Sequence, residues 1–81
     1  MNKTDNMQLK FFGQLAEITG KTELHISPEK DTETVIQKVK EQFPKLKTQT
    51  FMIAVNKKIV KQNQLLQPGS EIAFLPPFAG G

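Results

Sequence analysis

The chain has 81 residues, enough for one small domain, with 37% hydrophobic and 23% charged residues and a formal net charge of +3. It has no cysteine, which excludes disulfides, thiolate metal sites and cysteine nucleophiles, and its longest apolar run, Phe51 to Val55, falls far short of the ~20 residues a membrane span needs. All 11 basic residues are lysines; without the bidentate donors of arginine the chain is poorly equipped to read nucleic acid, and lysines interleaved with glutamates suit a solvated surface.

Met1 to Asn6 is polar and has no apolar stretch behind it. It reads as a loosely held arm and not as a signal peptide, which points to the cytoplasm. Met7, Leu9 and Phe11 then alternate with Gln8 and Lys10, predicting a half-buried strand. Phe12 departs from this pattern by placing an aromatic ring on the polar side. Gly13 punctuates, and Gln14 to Thr19 fits a short helical turn closed by Gly20. Lys21 to Ile26 alternates again, with Thr22, Leu24 and Ile26 inward. Thr34 to Phe43 is the principal helix, because Val35, Val39 and Phe43 recur at i, i+4 and i+8 with Ile36 beside them. Thr34 followed by Gln37 has the form of a capping box, with Asp31 or Thr32 as the alternative start, and Pro44 ends the helix.

Phe51 to Val55 predicts a third strand with Phe51, Ile53 and Val55 on one face. Asn56-Lys57-Lys58 is a turn, and Ile59-Val60 starts the return strand. Pro68-Gly69 suits the two central positions of a type II turn. Glu71 to Leu75 is the last strand, with Ile72 and Phe74 inward and Ala73 and Leu75 outward. Pro76-Pro77 stops it, since neither residue can donate to a ladder. The order strand, strand, helix, strand, short strand, strand is an α+β arrangement of one helix on a mixed sheet. Its commonest compact form is the ubiquitin-like β-grasp, with the first and last strands adjacent in the middle. The expected organisation is an arm over 1–6, a β-grasp domain over 7–75 and an extended tail over 76–81.

Residues suited to catalysis are scarce. The single histidine, His25, falls on the polar face of the second strand and reads as a surface residue. The carboxylates are dispersed over polar positions without metal-ligand spacing, and neither a P-loop nor a dinucleotide fingerprint is present. The C-terminus is the unusual feature. Counted from Pro76, the tail reaches ~20 Å at most. It carries no charge or hydroxyl, it includes Phe78 and Ala79, and it ends in Gly80-Gly81. A frayed end is the plain alternative. A chain end that must pass through a narrow channel, however, has to dispense with side chains, and glycine lets the walls close on the backbone. Phe12, Leu75 and Ile59 would together form an exposed apolar patch beside this tail, suited to docking, unless a loop covers it. Lys57, Lys58 and Lys61 form a basic cluster that also fits a solvated turn.

At these residues the chain resembles a known family. Gly69 through Gly81, with its Pro76-Pro77-Phe78-Ala79-Gly80-Gly81 ending, is similar to the C-terminus of the small subunit of molybdopterin synthase, the sulfur carrier of the MoaD/ThiS type. Ala54-Val55-Asn56 and Lys10 through Glu17 match the same family at its hairpin and first strand. Gly-Gly alone is shared with ubiquitin-like modifiers and the thiamine-pathway carrier, whereas the paired prolines favour the molybdopterin branch. Leu75 stands where family members often carry phenylalanine. The resemblance implies that the Gly81 carboxylate is adenylated by a ubiquitin-activating-like enzyme using ATP, converted to a thiocarboxylate, and delivered to cyclic pyranopterin monophosphate. It implies a large catalytic subunit as partner in a heterotetramer, with Phe78, Ala79 and Gly80 threaded into that subunit's active site. Phe12, Ile59, Leu75, Pro76 and Pro77 would form the interface. No cofactor or metal is expected on this chain, nor stand-alone catalysis, nucleic acid or membrane. The alternatives are a carrier for thiamine or tRNA thiolation, and a ubiquitin-like modifier or binding module.

Overall fold

The computed structural model describes residues 6–77, and the alternation at the start of the chain becomes strand β1 (Met7–Phe11). Met7, Leu9 and Phe11 are buried, and Gln8 and Lys10 are half-buried. Helix α1 (Gln14–Thr19) follows, and Gly20 closes it by donating its N–H to the Ala16 carbonyl at 2.8 Å. Strand β2 (Glu23–Ile26) begins two residues later than the pattern predicted, and Thr22, expected inward, is exposed.

Helix α2 (Thr32–Gln42) corrects the capping assignment. The cap is Asp31, not Thr34: the Asp31 carboxylate accepts from the Thr34 N–H at 2.9 Å and from its hydroxyl at 2.6 Å. Thr34 therefore lies inside the first turn. Val35 and Val39 reach the core, as the apolar stripe requires, and Ile36 and Phe43 pack on its margin. Pro44 ends α2 but does not end helical structure, because a 3-10 helix over Pro44–Thr48 follows at once and buries Leu46 completely. The sequence pattern gave no sign of this element.

Strands β3 (Met52–Val55), β4 (Lys58–Val60) and β5 (Glu71–Leu75) complete the order. The β3–β4 turn is tighter than predicted. Lys58 already pairs with Val55, leaving only Asn56 and Lys57 in the loop, at φ of +49° and +75°. Two positive φ values mark the turn type whose twist suits a two-residue hairpin. Asn56 also ties the hairpin to β5, donating its N–H to the Glu71 carbonyl at 2.8 Å and accepting the Glu71 N–H on Oδ1 at 3.0 Å. The Pro68-Gly69 turn forms as expected: Gly69 has φ of +85°, and the Ser70 N–H donates to the Gln67 carbonyl at 3.1 Å.

Among the described residues, five strands form one sheet in the order β2-β1-β5-β3-β4. β1 and β5 run parallel at its centre and the other pairs are antiparallel. The core lies between the sheet and α2. Phe74 stacks at 5.1 Å from Phe11 and 5.3 Å from Phe51, and Phe43 meets Phe11 edge-on at 6.1 Å. Ile53, Val55 and Ile72 fill the remaining space from the sheet.

Candidate functional site

Among the described residues, α2 covers one face of the sheet and leaves the other open. The register fixes what the open face presents, because residues paired across strands point the same way. One row runs from Glu23 through Lys10, Ala73 and Ala54 to Ile59. The next row pairs Leu75 with Met52. Phe12 extends that row: its N–H donates to the Phe74 carbonyl at 3.1 Å, so the parallel pairing continues one residue past β1 and sets Phe12 beside Leu75. The face is divided. Gln8, Lys10, Glu23, His25 and Glu71 make one half polar, with Lys10 and Glu71 3.8 Å apart, His25 and Glu23 3.6 Å apart, and Gln8 bonded to Glu23. The other half is apolar and contains Phe12, Leu75, Met52, Ala54, Ala73 and Ile59.

The three patch residues read from the sequence thus lie on one face. Phe12 and Leu75 are neighbours, and both Phe12 and Ile59 are 45% exposed, large values for side chains of this kind. Ile59 lies two strands from Leu75 and joins the patch through Met52 and Ala54, which sequence reasoning did not single out. Their signal was present in the alternation of β3, where attention to the inward set hid the outward one. Ala54 and Ala73 are shielded although they face away from the helix, because small side chains sit between larger neighbours.

The tail begins at the end of β5, at the apolar corner of this face. Pro76 is half-buried and Pro77 is exposed. Gly13 holds the base of the tail, a role its place in the sequence did not disclose. It stands at φ of +58° and ψ of −136°, and a Cβ built there would come within 2.9 Å of Pro76 Cγ. Glycine therefore permits both the backbone conformation and the close approach of the proline ring. Phe78, Ala79, Gly80 and Gly81, the residues assigned to threading and chemistry, lie outside the described residues, as does most of the predicted arm over 1–6. The lysines of the hairpin, Lys57, Lys58 and Lys61, are all exposed. Among the described residues no helix is long and apolar enough to cross a membrane.

Comparison with known proteins agrees with this architecture. A Pyrococcus furiosus chain assigned as molybdopterin converting factor, subunit 1, superposes with a TM-score of 0.81 at 24% identity, covering 89% of this chain and 97% of that one. The small archaeal modifier protein 1 (SAMP1) of Methanosarcina acetivorans superposes with a TM-score of 0.77 at 26% identity, covering 94% and 96%. Urm1 from Trypanosoma brucei matches along 100% of both chains with a TM-score of 0.72 at 16% identity. The fold is thus the ubiquitin-like β-grasp shared by sulfur carriers and modifiers. The sequence profile of the ThiS family matches residues 9–81, from the first strand through Gly81. With that match spanning nearly its whole length, the chain belongs to the ThiS family.

Proposed function

We propose that this protein is the sulfur-carrying small subunit of a molybdopterin synthase, acting in the cytoplasm with a large catalytic subunit in a heterotetramer. The observation that carries the proposal is the joint position of the ThiS-family ending and the apolar face. The segment that ends in Gly81 starts at Pro76, at the corner of the sheet where Phe12 is exposed beside a half-buried Leu75. A partner seated on that face receives the chain end directly.

The chemistry belongs to Gly81. Its carboxylate oxygen attacks the α-phosphate of ATP on a ubiquitin-activating-like enzyme, and pyrophosphate leaves. A sulfur donor then displaces AMP from the acyl-adenylate, giving a thiocarboxylate. In the large subunit its sulfur attacks a carbon of cyclic pyranopterin monophosphate and displaces the oxygen substituent that carbon carries. Water then cleaves the acyl–sulfur bond of the resulting thioester, leaving the sulfur on the pterin and releasing the carrier as the carboxylate, ready for another round. Repeated delivery builds the dithiolene. ATP is used by the activating partner and no cofactor is held by this chain, so its own contribution is to present, orient and thread the tail. Phe78 anchors the tail, and Ala79 and Gly80 leave room for channel walls.

The direct test is intact mass after incubation with ATP, a sulfur donor and the activating enzyme. The expected result is a gain equal to one sulfur replacing one oxygen, mapped to Gly81. Deleting Gly81 should abolish the gain and dithiolene formation while the fold persists; full activity after that deletion would refute the proposal. A second reading is supported by the matches to SAMP1 and Urm1. In that reading Gly81 is joined to lysines of target proteins, and higher-mass adducts in cell extract that require Gly81 would favour it. Transfer of the sulfur to a thiazole or tRNA acceptor would instead move the carrier to another pathway.

A further inference from the structure

The pairing of β3 and β4 stops at Ile53 and Val60. Beyond Val60 the chain leaves β3 and crosses to the start of α2, where Asn63 fastens it. Asn63 Oδ1 accepts from the Thr32 hydroxyl at 3.1 Å and from the Glu33 N–H at 2.8 Å, and Nδ2 donates to the Asp31 carboxylate at 3.2 Å. Gln64 adds two bonds to Thr32: its carbonyl accepts the Thr32 N–H at 2.9 Å and its N–H donates to the Thr32 hydroxyl at 3.0 Å. This divergence opens a cleft of about 640 Å³ between the start of β3, the end of β4 and the flank of α2.

The cleft has the elements of a peptide groove. Ile36, Phe51, Ile53 and Val60 give it an apolar lining, and all but Ile53 are only half-buried. One backbone edge is free of its neighbour. Met52 pairs with Leu75 on one side, while on the other side the ladder has already ended. In a two-residue hairpin the pair beside the turn exchanges hydrogen bonds and every second pair after it does the same. Val55–Lys58 and Ile53–Val60 are those pairs, so the next donor and acceptor on that side of β3 belong to Phe51. An extended guest would meet them where a longer β4 would have run.

Charge states what the guest is. From Gln42 to Ser70 the chain contains Lys45, Lys47, Lys57, Lys58 and Lys61 and no acidic residue. Lys40 and Lys61 line the cleft against one acid, Glu33, and Lys40 Nζ lies 5.7 Å from the centre of the Phe51 ring. We propose that this cleft, which meets the open sheet face at Met52 and Ile59, is a second docking site that takes an extended segment of a partner protein combining apolar and acidic residues as an added strand. The proposal does not depend on the chemistry of Gly81. Edge lysines also discourage aggregation, and the experiment separates that role from recognition.

The full-length protein, labelled with ¹⁵N, is titrated with the blocked peptide Glu-Asp-Val-Ile-Val-Asp-Glu and with its counterpart carrying lysine at every acidic position. The acidic peptide should shift the amides of 50–52, Ile36, Lys40 and Lys61. The double charge reversal Lys40→Glu, Lys61→Glu should weaken binding about tenfold while the ¹⁵N spectrum keeps the dispersion of the folded protein. Deleting Gly81 should leave peptide binding unchanged. The proposal is overturned by an absence of shifts at about 1 mM peptide, by equal binding of the lysine peptide, by indifference to charge reversal, or by shifts centred on Phe12 and Leu75. Loss of peptide binding on deleting Gly81 would place the peptide on the tail and overturn it equally.

Discussion

The Asp31 carboxylate collects donors from both sides of the α2 start, the hydroxyl and N–H of Thr34 and the side-chain amide of Asn63. The Thr34 hydroxyl bond, then its N–H, then Asn63 hold the carboxyl below its usual value of 3.8. A carboxylate with a lowered native pKa stabilises the fold above its unfolded pKa, and that contribution is lost as pH falls through the native value. Asp31→Asn retains a cap-forming side chain and removes the charge. It should therefore melt below the parent at about pH 7, and the gap should close below about pH 4. A gap that stays constant through the acid range would show that charge at Asp31 contributes nothing. The sequence offered two caps three residues apart, Asp31 and Thr34, and local pattern could not choose between them. Asn63, more than thirty positions further along, takes part in the choice, and no local window contains it.

The elements were legible in proportion to their periodicity. β1 alternates cleanly and α2 carries a regular stripe, so their inward residues follow from the pattern, whereas β5 is apolar from Ile72 to Leu75 and is buried at Ala73 as well as at Ile72 and Phe74. The 3-10 helix at Pro44–Thr48 has one apolar residue between lysines and a threonine, and a single leucine has no period. Its burial comes from chain reversal: the Leu46 N–H donates to the Phe43 carbonyl at 2.9 Å, and the turn swings the side chain under the sheet. Leu46→Ala should cost about 2–5 kcal/mol, as at other fully buried leucines. Urea unfolding measures this, and a loss under about 1 kcal/mol would mean the site collapses around the smaller residue.

For the molecule as a whole, element order led to the β-grasp because few compact sheets accommodate that order. The apolar face was half legible. Phe12, Leu75 and Ile59 stand out as apolar residues at polar positions, but Met52 and Ala54 join them only once the strand order places β3 beside β5. The close approach of Gly13 to Pro76 joins positions near opposite ends of the sequence and leaves no trace in either local pattern. If the open face is the seat of the catalytic subunit, Phe12→Ala and Leu75→Ala should each weaken that association by about 2 kcal/mol or more. Melting should change little for Phe12→Ala, since that ring is already half in solvent. Unchanged affinity in calorimetric titration of both variants would move the interface elsewhere.

The strand that ends in the tail is the middle one of the sheet, bonded along its length to β1 on one flank and β3 on the other. A pull on the chain end therefore loads β5 along its own axis. The two ladders resist such a load in shear, many bonds at once, whereas an edge strand pulled sideways would unzip one bond at a time. If the tail is threaded into a partner as proposed, the terminus can be gripped and drawn out again in each round while the body that bears it stays folded.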